Sequence, residues 1–219
     1  MGTSATDLLE RHRGGDILPA GRAFGAEVVP VPVSTGPHSH DFCELAIVLA
    51  GSGRHGTRHD DVVVARGDAV GVRPCDWHQW HEPVGLTVAN VYVDQALLRT
   101  GVAPVATNPV LRMFAWPVPA LPAPGIARLA AGDLHRVEDA VAALASAGAP
   151  DADASRRDAD DIADLGHLLV ILGIVAAALP VHAAGRAAAA PVDAVRILEE
   201  DLAAPWTVAA LARAVGLSP

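Results

Sequence analysis

Gly36-Pro37-His38-Ser39-His40-Asp41-Phe42-Cys43-Glu44 is the stretch on which the fold turns, with Gly51 following after six intervening residues. On a β-strand side chains alternate between faces, so residues two apart point the same way. His38, His40 and Glu44 share parity, and a continuous strand aims all three at one side. Two imidazoles and a carboxylate are ligands suited to a divalent transition metal such as Zn, Ni, Fe or Mn. A fourth candidate comes downstream, where Gly67 is followed eleven residues on by His78. His55, His59 and His81 are spare, with His81 the substitute ligand if His78 points away. Cys43 has the opposite parity to Glu44 and is expected in the wall. Trp77 and Trp80 flank His78, and their faces suit either a sugar or apolar ligand, or plain packing.

Outward from this stretch, valine-rich runs at 26–33, 42–49, 62–65, 69–72 and 86–93 are separated by Gly51-Ser52-Gly53, Asp60-Asp61 and Arg66-Gly67-Asp68. Short strands at this spacing predict a sandwich or barrel over residues 21–100. Residues 1–20 mix charges without periodicity and read as a loose arm. One helical turn is expected over 95–99, then a proline-rich connector from 101 to 125. Ile126, Leu129, Leu134, Val137, Val141 and Leu144 then recur at helical spacing. A second helix is expected over 155–179, an Ala/Pro/Gly linker follows, and two amphipathic segments lie at 192–202 and 208–215. Thr207 can cap the last of these, and Gly216 can supply the left-handed residue that ends it.

Composition narrows the function. Half of the chain is apolar (51%) but only 4% is aromatic, and all 16 basic residues are arginine. A net charge of −9 repels phosphate, which makes the chain as it stands a poor nucleic-acid ligand. Cys43 and Cys75 stand far apart, no signal peptide is evident, and the expected compartment is the cytoplasm. The apolar run 168–179 is shorter than the roughly 20 residues of a membrane span, so a buried helix and no membrane partner are expected.

The histidine stretch resembles the first motif of the cupin superfamily, G-x5-H-x-H-x3–4-E-x6-G, on His38, His40, Glu44 and Gly51. The leading glycine, Gly36, lies only two residues before His38. Gly67 and His78 resemble the second motif, with Arg73 and Cys75 where proline and glycine are usual and Glu82 in place of the final asparagine. The resemblance implies a mainly β cupin, a double-stranded β-helix or jelly-roll barrel, with His38, His40, Glu44 and His78 at its mouth. The segment from Thr207 through Leu211, Ala212 and Gly216-Leu217-Ser218 resembles the start of the DNA-binding domain of AraC-family transcription regulators. The upstream HSHDFCELAIVLAGSGRH is similar to sugar-responsive members, the rhamnose regulators in particular.

Together these imply five parts. They are an arm (1–20), a cupin barrel (21–100), a connector and helical dimerisation region (101–184), a linker (185–191) and a partial helix-turn-helix domain (192–219) that stops within its first motif. The implied role is effector sensing by a regulator. A small polar effector, such as a sugar, would be held by His38, His40, Glu44, His78, Trp77 and Trp80. The chain is expected to form a homodimer and to leave operator DNA to its full-length parent. The alternative is a metal-dependent cupin enzyme, an isomerase or dioxygenase, using the same four ligands. The tail 192–218 favours the regulator, because an enzyme has no need of it.

Overall fold

The computed structural model describes residues 10–18, 21–74, 76–102, 108, 110–111, 114, 125–146, 157–179 and 186–217. Strands β1 (Glu10–His12), β2 (Phe24–Val31), β3 (His38–His40), β4 (Cys43–Thr57), β5 (Asp61–Ala65), β6 (Asp68–Val72), β7 (Trp77–Val93) and β8 (Ile126–Arg128) form one sheet. Its order is β1-β3-β7-β4-β6-β8, with β2 also on β7 and β5 also on β4. A single-turn helix α1 (Gly14–Ile17), a π-helical turn (Leu97–Gly101), and helices α2 (Ala131–Ser146), α3 (Arg157–Ala178), α4 (Arg186–Glu200) and α5 (Val208–Ala214) complete the chain.

Alternation along the two long strands sorts the side chains into two apolar layers. Leu45 and Ile47 of β4, with Ala89, Val91 and Val93 of β7, join Leu134, Val137 and Val141 of α2 and Leu168, Ile171 and Val175 of α3. On the opposite face Ala46, Val48, Val70, Leu86, Val88 and Trp80 close around Val31 and Val64. Period-two burial on both faces is what a sheet covered by helices on one side and curled over itself on the other requires. The 18-residue window Asp161–Ala178 is long and apolar enough to cross a membrane by length and composition. Here its Leu168, Ile171 and Val175 are buried, in the same cluster as residues of α2.

The long strands differ from the runs expected of the sequence. Gly51-Ser52-Gly53, expected as a turn, lies inside β4, which bends through register shifts between Val48 and Ala50, Ala50 and Ser52, and Ser52 and Arg54. β7 likewise runs continuously from Trp77, so that His78 and Trp80 lie on the strand expected only from residue 86. Ile126 and its neighbours form β8 rather than helix, pairing with β6. The loose arm is in part structured: β1 pairs in parallel with β3, His12 opposite His40, and Gly14 N donates to Asp41 Oδ1 at 2.7 Å. Residues 1–9 and 19–20, most of the connector, Cys75, Ser155 and Ser218 lie outside the described residues.

The tail adopts its expected chemistry. Thr207 Oγ1 accepts from Ala210 N at 3.1 Å, and Gly216 adopts φ +76°. Leu217 N donates to Ala212 O and Gly216 N to Arg213 O, the paired bonds of a Schellman stop. Helix α4 begins at Arg186, within the expected linker, because the alanines before Pro191 carry strong helix propensity.

Gly51 is the sharpest steric requirement of the bend. It has φ +70°, and a Cβ there would lie 2.2 Å from Gly85 O. Gly51→Ala is expected to cost more than about 2 kcal/mol in urea unfolding.

Candidate metal centre

β3 ends at His40 and β4 begins at Cys43, so Asp41 and Phe42 break the single strand that residue parity presumes. Phe42 turns back to stack on the His40 ring at a centroid distance of 4.4 Å. His40 Nδ1 lies 2.7 Å from Phe42 O. A carbonyl oxygen only accepts, so Nδ1 carries a proton, and Nε2 is the ring nitrogen turned towards the cluster. That Nε2 lies 3.2 Å from Glu44 Oε2. From β7, His78 Nε2 comes within 3.8 Å of the same oxygen. His40, Glu44 and His78 are all buried, and their ligand atoms lie within 4.8 Å of one another.

Two observations show what this cluster is fitted for. Neither His40 Nε2 nor His78 Nε2 makes an aligned hydrogen bond, although both are buried; each instead approaches Glu44 Oε2 within ion-pair range. An unpaired buried polar atom costs about 1–3 kcal/mol, and two such atoms converging on one carboxylate form a donor set for a cation. The charge states agree with this. Burial pushes His78 down to about 3 and His55 down to about 4, against the pull of Glu44, so both rings are neutral at pH 7. Burial opposes ionisation of Glu44, but in the acid range where the rings are protonated His78, then His40 and His38, outweigh it and hold the carboxyl at about 2. An ionised carboxylate beside a neutral imidazole is the form that coordinates metal.

The other expected site residues sit around this core. His38 pairs with His78 across β3 and β7, their rings 4.2 Å apart. It is half-buried, its Nδ1 bonds Gly36 O at 3.0 Å, and it stands outside the three-ligand group. Trp80 is buried on the inner face and lies 4.7 Å from the His55 ring. Trp77, of opposite parity to His78, is half-buried and pairs with Ser39. Cys43 is in the wall as expected: its thiol donates to Phe114 O, and burial pushes it up to about 12. Arg73, standing where proline is usual, is buried and pairs with Asp76 at 2.7 Å, which closes the turn before His78. His81 faces Asp61 at 3.0 Å rather than the cluster.

The AraC-like ligand binding domain matches residues 32–149, more than half of the chain. The chain belongs to this family. In the AraC-like domain so defined, the match runs from just past β2 to just past the end of α2 and contains the whole cluster. The chain is similar to several solved structures at low identity. A cupin-2 domain protein from Shewanella frigidimarina is 17% identical over 32% of this chain and 71% of its own, with a TM-score of 0.31. A putative mannose-6-phosphate isomerase from Ralstonia eutropha is 17% identical over 33% and 75%, with a TM-score of 0.31. The DMSP lyase DddQ from Ruegeria pomeroyi is 20% identical over 32% and 38%, also at 0.31. No curated protein matches the chain.

Two features of the AraC-like site escaped the sequence reading. His55, set aside as spare, is 3% exposed and places Nε2 3.1 Å from His78 Nδ1. Tyr92, opposite Glu44 on β7, donates its hydroxyl to Glu27 and accepts from Asn90 Nδ2 at 3.1 Å. No local motif marks either one, since both arise from pairing register.

The depressed imidazoles fix the sign of a pH effect in the metal-free protein. The unfolded chain takes up protons below its ordinary histidine pKa of 6.5, while folded His55 and His78 stay neutral to about 4 and about 3. Stability is therefore complete above pH 6.5 and is lost as pH falls from 6.5 towards 3, by about 1.4 kcal/mol per pH unit for each proton taken up. Glu44 adds a loss in the same direction between 4.5 and about 2. Urea unfolding at pH 8, 6.5, 5.5 and 4.5 checks this, and an unchanged free energy down to pH 4.5 would contradict it.

Proposed function

We propose that this chain is the effector-sensing part of an AraC-family transcription regulator, with a divalent transition metal held by His40, Glu44 and His78. The observation that carries the reading is the pair of partnerless imidazole nitrogens facing one buried carboxylate. When bound, the metal supplies a Lewis-acidic anchor for oxygens of a small polar effector such as a sugar. His38, at the edge of the cluster, and the aromatic faces of Trp77 and Trp80 contribute the walls. The effector is bound and released unchanged, which makes the protein a sensor rather than an isomerase or dioxygenase.

The route from site to output is short. β1 lies on β3 with His12 opposite His40, so a shift of His40 on loading changes the footing of the arm. Such a switch works only to the extent that ligand binds the two arm positions with different affinity. Helices α4 and α5, with their Thr207 cap and Gly216 stop, read as the opening helices of the DNA-binding domain. The acidic balance of the chain disfavours phosphate contact. Ile162, Leu169 and Val170 leave an apolar stripe on α3 exposed, and a second copy of the chain is the partner that covers it.

Metal-free protein titrated with Zn2+ should bind one equivalent per chain and gain thermal stability. Glu44→Gln should lose at least about 100-fold in affinity, because it removes the only carboxylate of the group. Less than one equivalent bound, or equal binding by the variant, overturns the metal assignment. Conversion of a bound compound in a chelator-sensitive manner would favour the enzyme. Sedimentation velocity tests the pairing surface: the chain should run as a dimer, and Val170→Glu should weaken it at least about 10-fold, or ~1.4 kcal/mol.

A further inference from the structure

We infer that His55 is a positioning residue for the metal centre: it fixes the proton of His78 on Nδ1 and so leaves Nε2 bare towards Glu44. The inference rests on the metal reading for its consequence, but its own content is a hydrogen bond in the metal-free protein. His55 Nε2 and His78 Nδ1 are 3.1 Å apart, both buried. Between two neutral imidazoles one nitrogen must donate and the other accept. His78 Nε2 has no hydrogen-bond partner and faces Glu44 Oε2 at 3.8 Å. With the proton on Nδ1, His78 spends its donor on His55 and offers a lone pair at Nε2. With the opposite tautomer, Nδ1 would accept from His55 and a lone pair would be lost from the ligand position.

The arrangement is held from outside the cluster. His55 lies opposite Trp80 in the β4–β7 register, with the two rings 4.7 Å apart, so the imidazole is braced by the inner wall. His40 is fixed by different means to the same end, its proton directed to Phe42 O at 2.7 Å. Two ligand rings thus present Nε2 to one carboxylate because each Nδ1 has a built-in acceptor. Acceptors of this kind orient a ligating imidazole and raise its basicity, and their loss typically costs 10–100-fold in metal affinity.

The experiment combines 15N–1H long-range NMR of the histidine rings in metal-free protein with Co2+ titration, for the wild type, His55→Phe and His55→Gln. Phenylalanine keeps the ring volume and removes the acceptor, whereas glutamine returns an amide oxygen near the place of Nε2. At pH 7.5 the wild type should show His78 protonated on Nδ1. His55→Phe should shift it towards the Nε2–H form and weaken Co2+ about 10–100-fold, and His55→Gln should restore both. His78 protonated on Nε2 in the wild type overturns the inference even if no variant folds. So does a folded His55→Phe with unchanged tautomer and affinity. If the tautomer responds as stated while Co2+ binds no form of the protein, the positioning role stands and the metal reading falls.

Discussion

The strands of this fold converge on a carboxylate kept out of water. Glu44 sits in the sheet wall at 5% exposure, where a lone charge would be prohibitively costly. Imidazoles reach it from both sides, His40 across the β3–β4 break and His78 from β7. The architecture is set by having to bring those strands together. β7 must run its full length to carry His78 beside β3 and Tyr92 beside Glu44. β4 must bend rather than end at its glycines. The helices α2 and α3 then cover the face that β4 and β7 turn away from the cluster.

This dependence explains why some positions tolerate no alternative. Gly51 passes within van der Waals distance of the Gly85 backbone at the bend of β4, and Gly71 lies under the Phe114 ring, 1.4 Å from where a Cβ would fall. Both are close approaches that let neighbouring segments fold over the sheet. The half-buried Arg73–Asp76 pair ties the two ends of the turn that precedes His78.

The sheet and three residues of the candidate cluster were legible in the sequence, because valine-rich runs and histidine spacing are local signals. His40, Glu44 and His78 meet as the spacing implied, although the single strand invoked to align them is broken at Asp41 and Phe42. His38 shows the limit of parity: it shares the spacing of His40 but spends its Nδ1 on Gly36 O and stands apart from the ligand group. His55 is the opposite case. Its parity differs from that of Glu44, yet three register shifts in β4 intervene between them, and each can reverse the face on which later residues of the strand lie. Bulges of this kind leave no mark beyond scattered glycines. The parallel pairing of β1 was equally invisible, since three polar residues have no apolar alternation to betray a strand.

X-ray absorption fine structure of the zinc-loaded protein measures the central claim most directly. The account predicts a first shell of light atoms at about 2.0–2.2 Å, with the outer-shell pattern of two imidazoles that falls to one in His78→Ala. A shell without imidazole scattering, or one unaltered by His78→Ala, would show that the metal binds elsewhere and would contradict the account.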